Sequence, residues 1–131
     1  MSLCIATGGQ ILALVASSFT LSWTHSVEKT EWIEHWQVEG SRLNLVSASV
    51  QGSGAGIDLP PGARWEHDRW TYEVDMAPLS NLTLAASGTT VGGWTICGDE
   101  QCLPLGRQAG EPITIWATED ANCAPGEQPP A

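Results

Sequence analysis

The sequence predicts an all-β fold: an antiparallel β-sandwich or partly closed barrel of about eight short strands. Short apolar-alternating runs recur along the chain, turn signals separate them at regular intervals, and no window carries a helical period with caps. The 131 residues are enough for one substantial core and too few for two, so residues 1–118 are taken as a single β domain. Residues 119–131, with Pro125, Pro129, Pro130 and no apolar run, are expected to form a disordered tail.

Leu3-Cys4-Ile5-Ala6 and the run from Gln10 to Ala16 read as two strands about Thr7-Gly8-Gly9, since neither glycine resists positive φ. Ser17-Ser18 then lets the chain bend into its clearest strand pattern. In the stretch FTLSWTHSVEKTEWIE, Phe19, Leu21, Trp23, His25 and Val27 share one face at the two-residue period of a strand. Trp32, Glu34, Trp36 and Val38 alternate in the same way, and Glu28-Lys29-Thr30-Glu31 between the runs reads as a hairpin loop. Closing that hairpin with Val27 opposite Trp32 sets Trp23 against Trp36, Leu21 against Val38 and His25 against Glu34. A one-residue slip would expose every large apolar side chain. After the turn Glu39-Gly40-Ser41, the segment Arg42 to Val50 is expected to pair back. Val38 then meets Leu43, Leu45 lies beside Trp36 and Ser47 beside Glu34, with a β-bulge near Leu45-Val46 where the apolar phase shifts. Pro60-Pro61-Gly62 forces a stiff extended turn. Beyond Trp65 come the alternation of Trp70, Tyr72 and Val74, the apolar run Leu82 to Ala86, a hairpin from Trp94 to Leu105, and a last strand from Pro112 to Thr118.

A formal net charge of -10, with only five Lys plus Arg, disfavours nucleic acid and anionic membrane surfaces as partners, because both require basic patches. Seven Trp against one Phe and one Tyr make tryptophan the main aromatic core builder. Of the four cysteines, Cys97 and Cys102 flank Gly98-Asp99-Glu100-Gln101, a polar loop between apolar runs, so a hairpin there sets them opposite each other as a disulfide or as adjacent free thiols. No second cysteine pair supplies the ligands a zinc site would need. Cys4 and Cys123 lie near opposite termini, and nothing in the sequence brings them together. No Lys or Arg precedes Lys29, so the charged start of a signal peptide is missing, and the apolar run Ile11 to Val15 is far too short to span a membrane.

The expected pairing leaves His25 and Glu34 as polar groups on an otherwise apolar face, where a buried carboxylate needs a partner. Two readings follow: a paired core histidine, or a tuned acid–base or ligand-orienting pair. His25 and Ser26 point to opposite faces, which argues against a simple Ser–His nucleophile. Gly52, Gly54 and Gly56 sit in a loop whose backbone N–H groups suit an anion-binding nest, although a bulged corner between strands explains the same glycines. It is neither a dinucleotide fingerprint nor a P-loop. Because the strand from Arg42 returns along the hairpin, this loop is expected beside Glu28–Glu31, with Lys29 the nearest cation for a small anionic solute. The candidate ligand-binding residues are therefore His25, Ser26, Glu28, Lys29, Glu34, Ser47, Gly54, Ala55 and Gly56. No catalytic residue, cofactor or metal ligand is assigned.

FTLSWTHSVEKTEW, followed some twenty residues on by GSGAG, resembles a bacterial family, domain-of-unknown-function family eighteen-fifty, often encoded beside TAXI-type TRAP transporters. The positions that match are Trp23, His25, Ser26, Val27, Glu28, Lys29, Glu34, Gly54, Ala55 and Gly56, and the likeness extends from about Leu3 to Leu105. The resemblance implies a cell-envelope or periplasmic protein with transporter subunits as partners. Relatives commonly carry an N-terminal hydrophobic anchor that this sequence does not show, which keeps a cytoplasmic location as the alternative. The expected role is a non-enzymatic accessory or small-ligand-binding protein. A small hydrolase or metal-dependent enzyme using His25 with Glu28 or Glu34, and a purely structural envelope protein, are the alternatives.

Overall fold

The computed structural model describes residues 1–24, 30–52, 59–86, 91–120, 122–124 and 126–130, which hold eleven strands and no helix. In chain order the strands are β1 (Ser2–Thr7), β2 (Gln10–Val15), β3 (Ser18–Thr24), β4 (Glu31–Glu39), β5 (Arg42–Gln51), β6 (Arg64–Glu66), β7 (Arg69–Glu73), β8 (Leu82–Leu84), β9 (Val91–Cys97), β10 (Cys102–Leu105) and β11 (Ile113–Thr118). They form a four-stranded sheet, β2-β1-β11-β8, and a seven-stranded sheet, β10-β9-β3-β4-β5-β7-β6. All pairings are antiparallel and neither sheet closes on itself, so the fold is an open sandwich. The strands exceed the expected eight partly because β6 and β7 form a hairpin of their own. Its turn takes positive φ at His67 (53°) and Asp68 (62°), residue types that tolerate that region better than most. At the β1–β2 hairpin the glycines do the same work, with φ of 58° at Gly8 and 80° at Gly9.

The core lies between the sheets. Leu3, Ile5, Leu14, Ile113 and Ile115 project from one, and Phe19, Leu21, Trp36, Leu43 and Ile96 from the other. Strand alternation builds this directly: Phe19 and Leu21 are buried, while Ser18 between the turn and Phe19 is exposed. Apolar burial at about 25 cal/mol per Å² is the main stabilising effect. Strands β3 and β4 contribute through one face, whereas β1 and β11 are buried on the other face as well, at Cys4 and Trp116.

The β3–β4 hairpin differs from its expected register. Trp23 pairs with Trp32, Leu21 with Glu34 and Phe19 with Trp36. The expected pairs Trp23–Trp36 and Leu21–Val38 are displaced by four residues, and Glu34, expected opposite His25, stands opposite Leu21. An even displacement keeps every side chain on its face, so alternation alone cannot detect it. The observed register brings aromatic rings together twice: Phe19 and Trp36 stack at 5.9 Å and Trp23 and Trp32 at 6.1 Å. In β5, Val38 does meet Leu43 and Trp36 does meet Leu45, and the bulge falls at Val46 as expected. That bulge shifts everything beyond it by one residue. Ser47 therefore lies opposite His35, and Ala48 takes the place beside Glu34.

The segment after Thr118 runs back across the outer face of the four-stranded sheet. Cys123 is disulfide-bonded to Cys4 in β1, with Cα atoms 5.8 Å apart. The indole N–H of Trp116 in β11 donates to Glu127 Oε2 at 2.6 Å, and Asn81, just before β8, donates to the Pro130 carbonyl at 2.6 Å. Composition suggested disorder here, but it takes no account of a tether supplied by a cysteine 119 residues away in sequence.

Candidate functional site

Residues directly opposite each other in antiparallel strands share a face. Following the register across the larger sheet, Leu105 faces Trp94, Trp94 faces Trp23, and Trp23 faces Trp32. Trp32 faces Val50, Val50 faces Trp70, and Trp70 faces Trp65. One transverse row thus crosses all seven strands and carries five of the seven tryptophans. It lies on the inner face, toward the end of the sheet where β3 and β5 finish. Val50 and Leu105 are buried, Trp23, Trp32, Trp70 and Trp94 are half-buried, and Trp65 is 48% exposed. Trp23 and Trp94 meet at 4.9 Å and Trp65 and Trp70 at 5.4 Å, both at steep angles, and Trp94 Nε1–H donates to the Ala85 carbonyl at 3.0 Å.

The next row on the same face reads Leu103, Ile96, Leu21, Glu34, Ala48, Tyr72. Glu34 is the one charged side chain in the two rows. Its Oε1 accepts the indole N–H of Trp36 at 3.2 Å, and it forms no ion pair among the described residues. Burial pushes its carboxyl above the usual glutamate range, and the Trp36 hydrogen bond offsets part of that rise. Tyr72 stands across Ala48, two strands away. Its phenol is also raised, first by burial and then by the charge on Glu34. The face therefore presents indole and phenol rings around one carboxylate that lacks a cationic partner among the described residues.

The opposite face of the same sheet is polar. One row there runs Cys102, Cys97, Thr20, His35, Ser47, Glu73. A groove of about 270 Å³ opens beside the bulge, lined by Ser18, Thr20, His35, Gln37, Val46 and the disulfide hairpin. The disulfide joins Cys97 to Cys102, as the loop between them suggested. Arg69 lies nearer the tryptophan-row end of this outer face. Its guanidinium donates to the Glu31 carboxylate at 3.1 Å, the Glu31 carbonyl at 2.9 Å and Ser49 Oγ at 3.1 Å, tying three adjacent strands together. Arg64 pairs with Glu66 and Glu73.

Of the expected site residues, Glu34 is on the inner face and Ser47 on the outer, so the structure does not bring them together. His25, Ser26, Glu28, Lys29, Gly54, Ala55 and Gly56 lie outside the described residues. The chain on either side of them is close: Trp32 pairs with Val50, Glu31 N donates to Gln51 Oε1 at 3.3 Å, and a Cβ on Gly52 would stand 3.9 Å from Thr30 Cγ2. Thr30 Oγ1 is buried without a hydrogen-bond partner among the described residues. The tryptophan row and Tyr72 were missed as site residues. Their signal was present in the unusual tryptophan content, but finding the row required the register of every strand. Among the described residues no group of three or more His, Cys, Asp or Glu is placed to hold a metal ion, and no helix is long and apolar enough to cross a membrane.

A family model described as "Domain of unknown function (DUF1850)" matches residues 19–105, well over half of the chain. No curated protein and no solved structure matches it.

Proposed function

The chain belongs to the DUF1850 family, a domain family of unknown function, and we propose that it is a non-enzymatic accessory or small-ligand-binding protein associated with TAXI-type TRAP solute transport. The observation that carries the binding reading is the row of half-buried indoles beside Glu34, an aromatic surface with one charge for orientation. The transporter association rests on the motif resemblance. Both disulfides support an oxidising compartment, hence the cell envelope or periplasm. Arg64 and Arg69 are already paired with glutamates, so a solute with an acid group would have to rely on the other basic residues, Lys29, Arg42 and Arg107, or on the glycine segment.

A hydrolase is the weaker reading. On the outer face Ser47 lies between His35 and Glu73, so the carboxylate flanks the hydroxyl and not the imidazole. A nucleophilic triad needs the imidazole in the middle, where it can take the hydroxyl proton and be oriented by the acid.

Two measurements test the proposal together. Purification of the tagged protein from its native membranes should bring transporter subunits with it, and a solute panel should give a saturable change in tryptophan emission. Recovery of the protein alone, with flat emission across the panel, would leave a structural role as the better account.

A further inference from the structure

We propose that the tryptophan row and Glu34 together form a site for an organic cation, a primary amine or quaternary ammonium group carrying apolar substituents. It rests on the ligand-binding reading above and names the chemistry of the ligand. The first ground is charge complementarity. Glu34 is the single charge across two rows of the inner face, and no lysine or arginine pairs with it among the described residues. A carboxylate withdrawn from water without a counter-ion is costly, and a cation arriving over that face would relieve the cost.

The second ground is the ring chemistry. Trp32 lies one step along β4 on the same face as Glu34, and Trp36, its hydrogen-bond donor, lies one step the other way. Trp23 stacks on Trp32, and Tyr72 stands across the small side chain of Ala48. Indole faces attract cations through their quadrupoles, tryptophan most strongly, and the attraction grows where water is excluded. An uncharged sugar would stack on the same rings but would leave the carboxylate without a counter-ion. An anion would meet Glu34 as a like charge. The net charge of -10 further favours the approach of a cation.

The experiment uses the intact, disulfide-bonded chain and three aromatic probes: phenyltrimethylammonium, its neutral isostere tert-butylbenzene, and benzoate. Tryptophan emission is followed for each, with a disaccharide as a fourth arm. The cation should give a saturable response, and the neutral isostere should bind about tenfold or more weakly, the scale set by desolvated cation–π and carboxylate contacts. Glu34→Gln should weaken the cation by a similar factor and leave the isostere unchanged. Equal binding of cation and isostere, or an unchanged cation affinity in Glu34→Gln, overturns the cation assignment while leaving the ligand-binding reading in place. Tighter binding of benzoate or the disaccharide does the same. Flat emission with all four probes overturns both. The comparison between probes needs no variant, so it stands even where a substitution fails to fold.

Discussion

At the scale of single residues, Glu34 carries a free-energy consequence that is independent of any ligand. Burial raises its carboxyl, so the folded chain holds this proton to higher pH than the unfolded chain does. The contribution is therefore full below the ordinary glutamate range and is lost as pH rises through the raised value, the reverse of a carboxylate stabilised by a salt bridge. Glu34→Gln keeps the shape and an oxygen to accept the Trp36 N–H, while removing the ionisation. Urea midpoints of the two proteins should converge at about pH 4 and separate at about pH 7, with the variant more stable. A variant less stable at neutral pH would mean that the carboxylate has a stabilising partner. Sequence reading found this residue for the right reason, a charge stranded on an apolar face, but gave it the wrong neighbours. Its observed environment is Trp36, Leu21 and, across Ala48, Tyr72.

At the scale of elements, strand existence and facing were legible because they depend only on local alternation: Phe19, Leu21, Trp36 and Val38 are buried as their period required. Register was not, because the β3–β4 pairing can slide by an even number of residues without moving any side chain to the wrong face. The loop expected at Glu28–Glu31 looked short enough to fix the pairing, and that length was the error. The β4–β5 turn at Gly40 is tight, so there the register followed correctly from Val38 and Leu43, and it failed for Ser47 only because the bulge was not carried through. The row of tryptophans was illegible for the same reason, since it exists only when six pairings are known together. One element-scale test concerns the irregularity that keeps Trp94 in that row. The β3–β9 register shifts between Trp23 and Thr24, and Gly93 on the bulged strand has φ of 69°. A Cβ there would also stand 2.5 Å from the Leu105 carbonyl oxygen in β10. Gly93→Ala should thus lose about 1–3 kcal/mol from backbone strain and the forced separation of β9 from β10. It should also shift Trp94 emission, because the indole leaves its bond to the Ala85 carbonyl. Full stability with unchanged emission would show that the bulge can re-form without glycine.

For the whole molecule, the two disulfides do different work, and removing them one at a time should show it. Cys97 and Cys102 are five residues apart on strands already joined by a tight hairpin. Cys4 and Cys123 are 119 residues apart and close nearly the entire chain into a loop. In the chain-entropy account the short loop restricts the unfolded ensemble by roughly 2 kcal/mol and the long one by roughly 5 kcal/mol. The long link also holds the tail over the outer face of the four-stranded sheet, where Cys4 and Trp116 are register partners and both are buried. Without the tether, the Trp116 bond to Glu127 and the Asn81 bond to the Pro130 carbonyl must hold the segment, and Trp116 gains exposure whenever the tail lifts. Cys123→Ala should therefore cost more stability than Cys102→Ala, by about 2–3 kcal/mol in urea unfolding, when each is paired with substitution of its partner to avoid stray thiols. It should also increase proteolytic cleavage beyond Thr118 under native conditions and raise the quenching of buried tryptophan by acrylamide, neither of which the Cys97/Cys102 double variant should do. Equal losses from the two double variants, with the tail still protected, would mean that the Glu127 and Asn81 contacts suffice to dock it and that the long disulfide acts on the unfolded chain less than loop length implies.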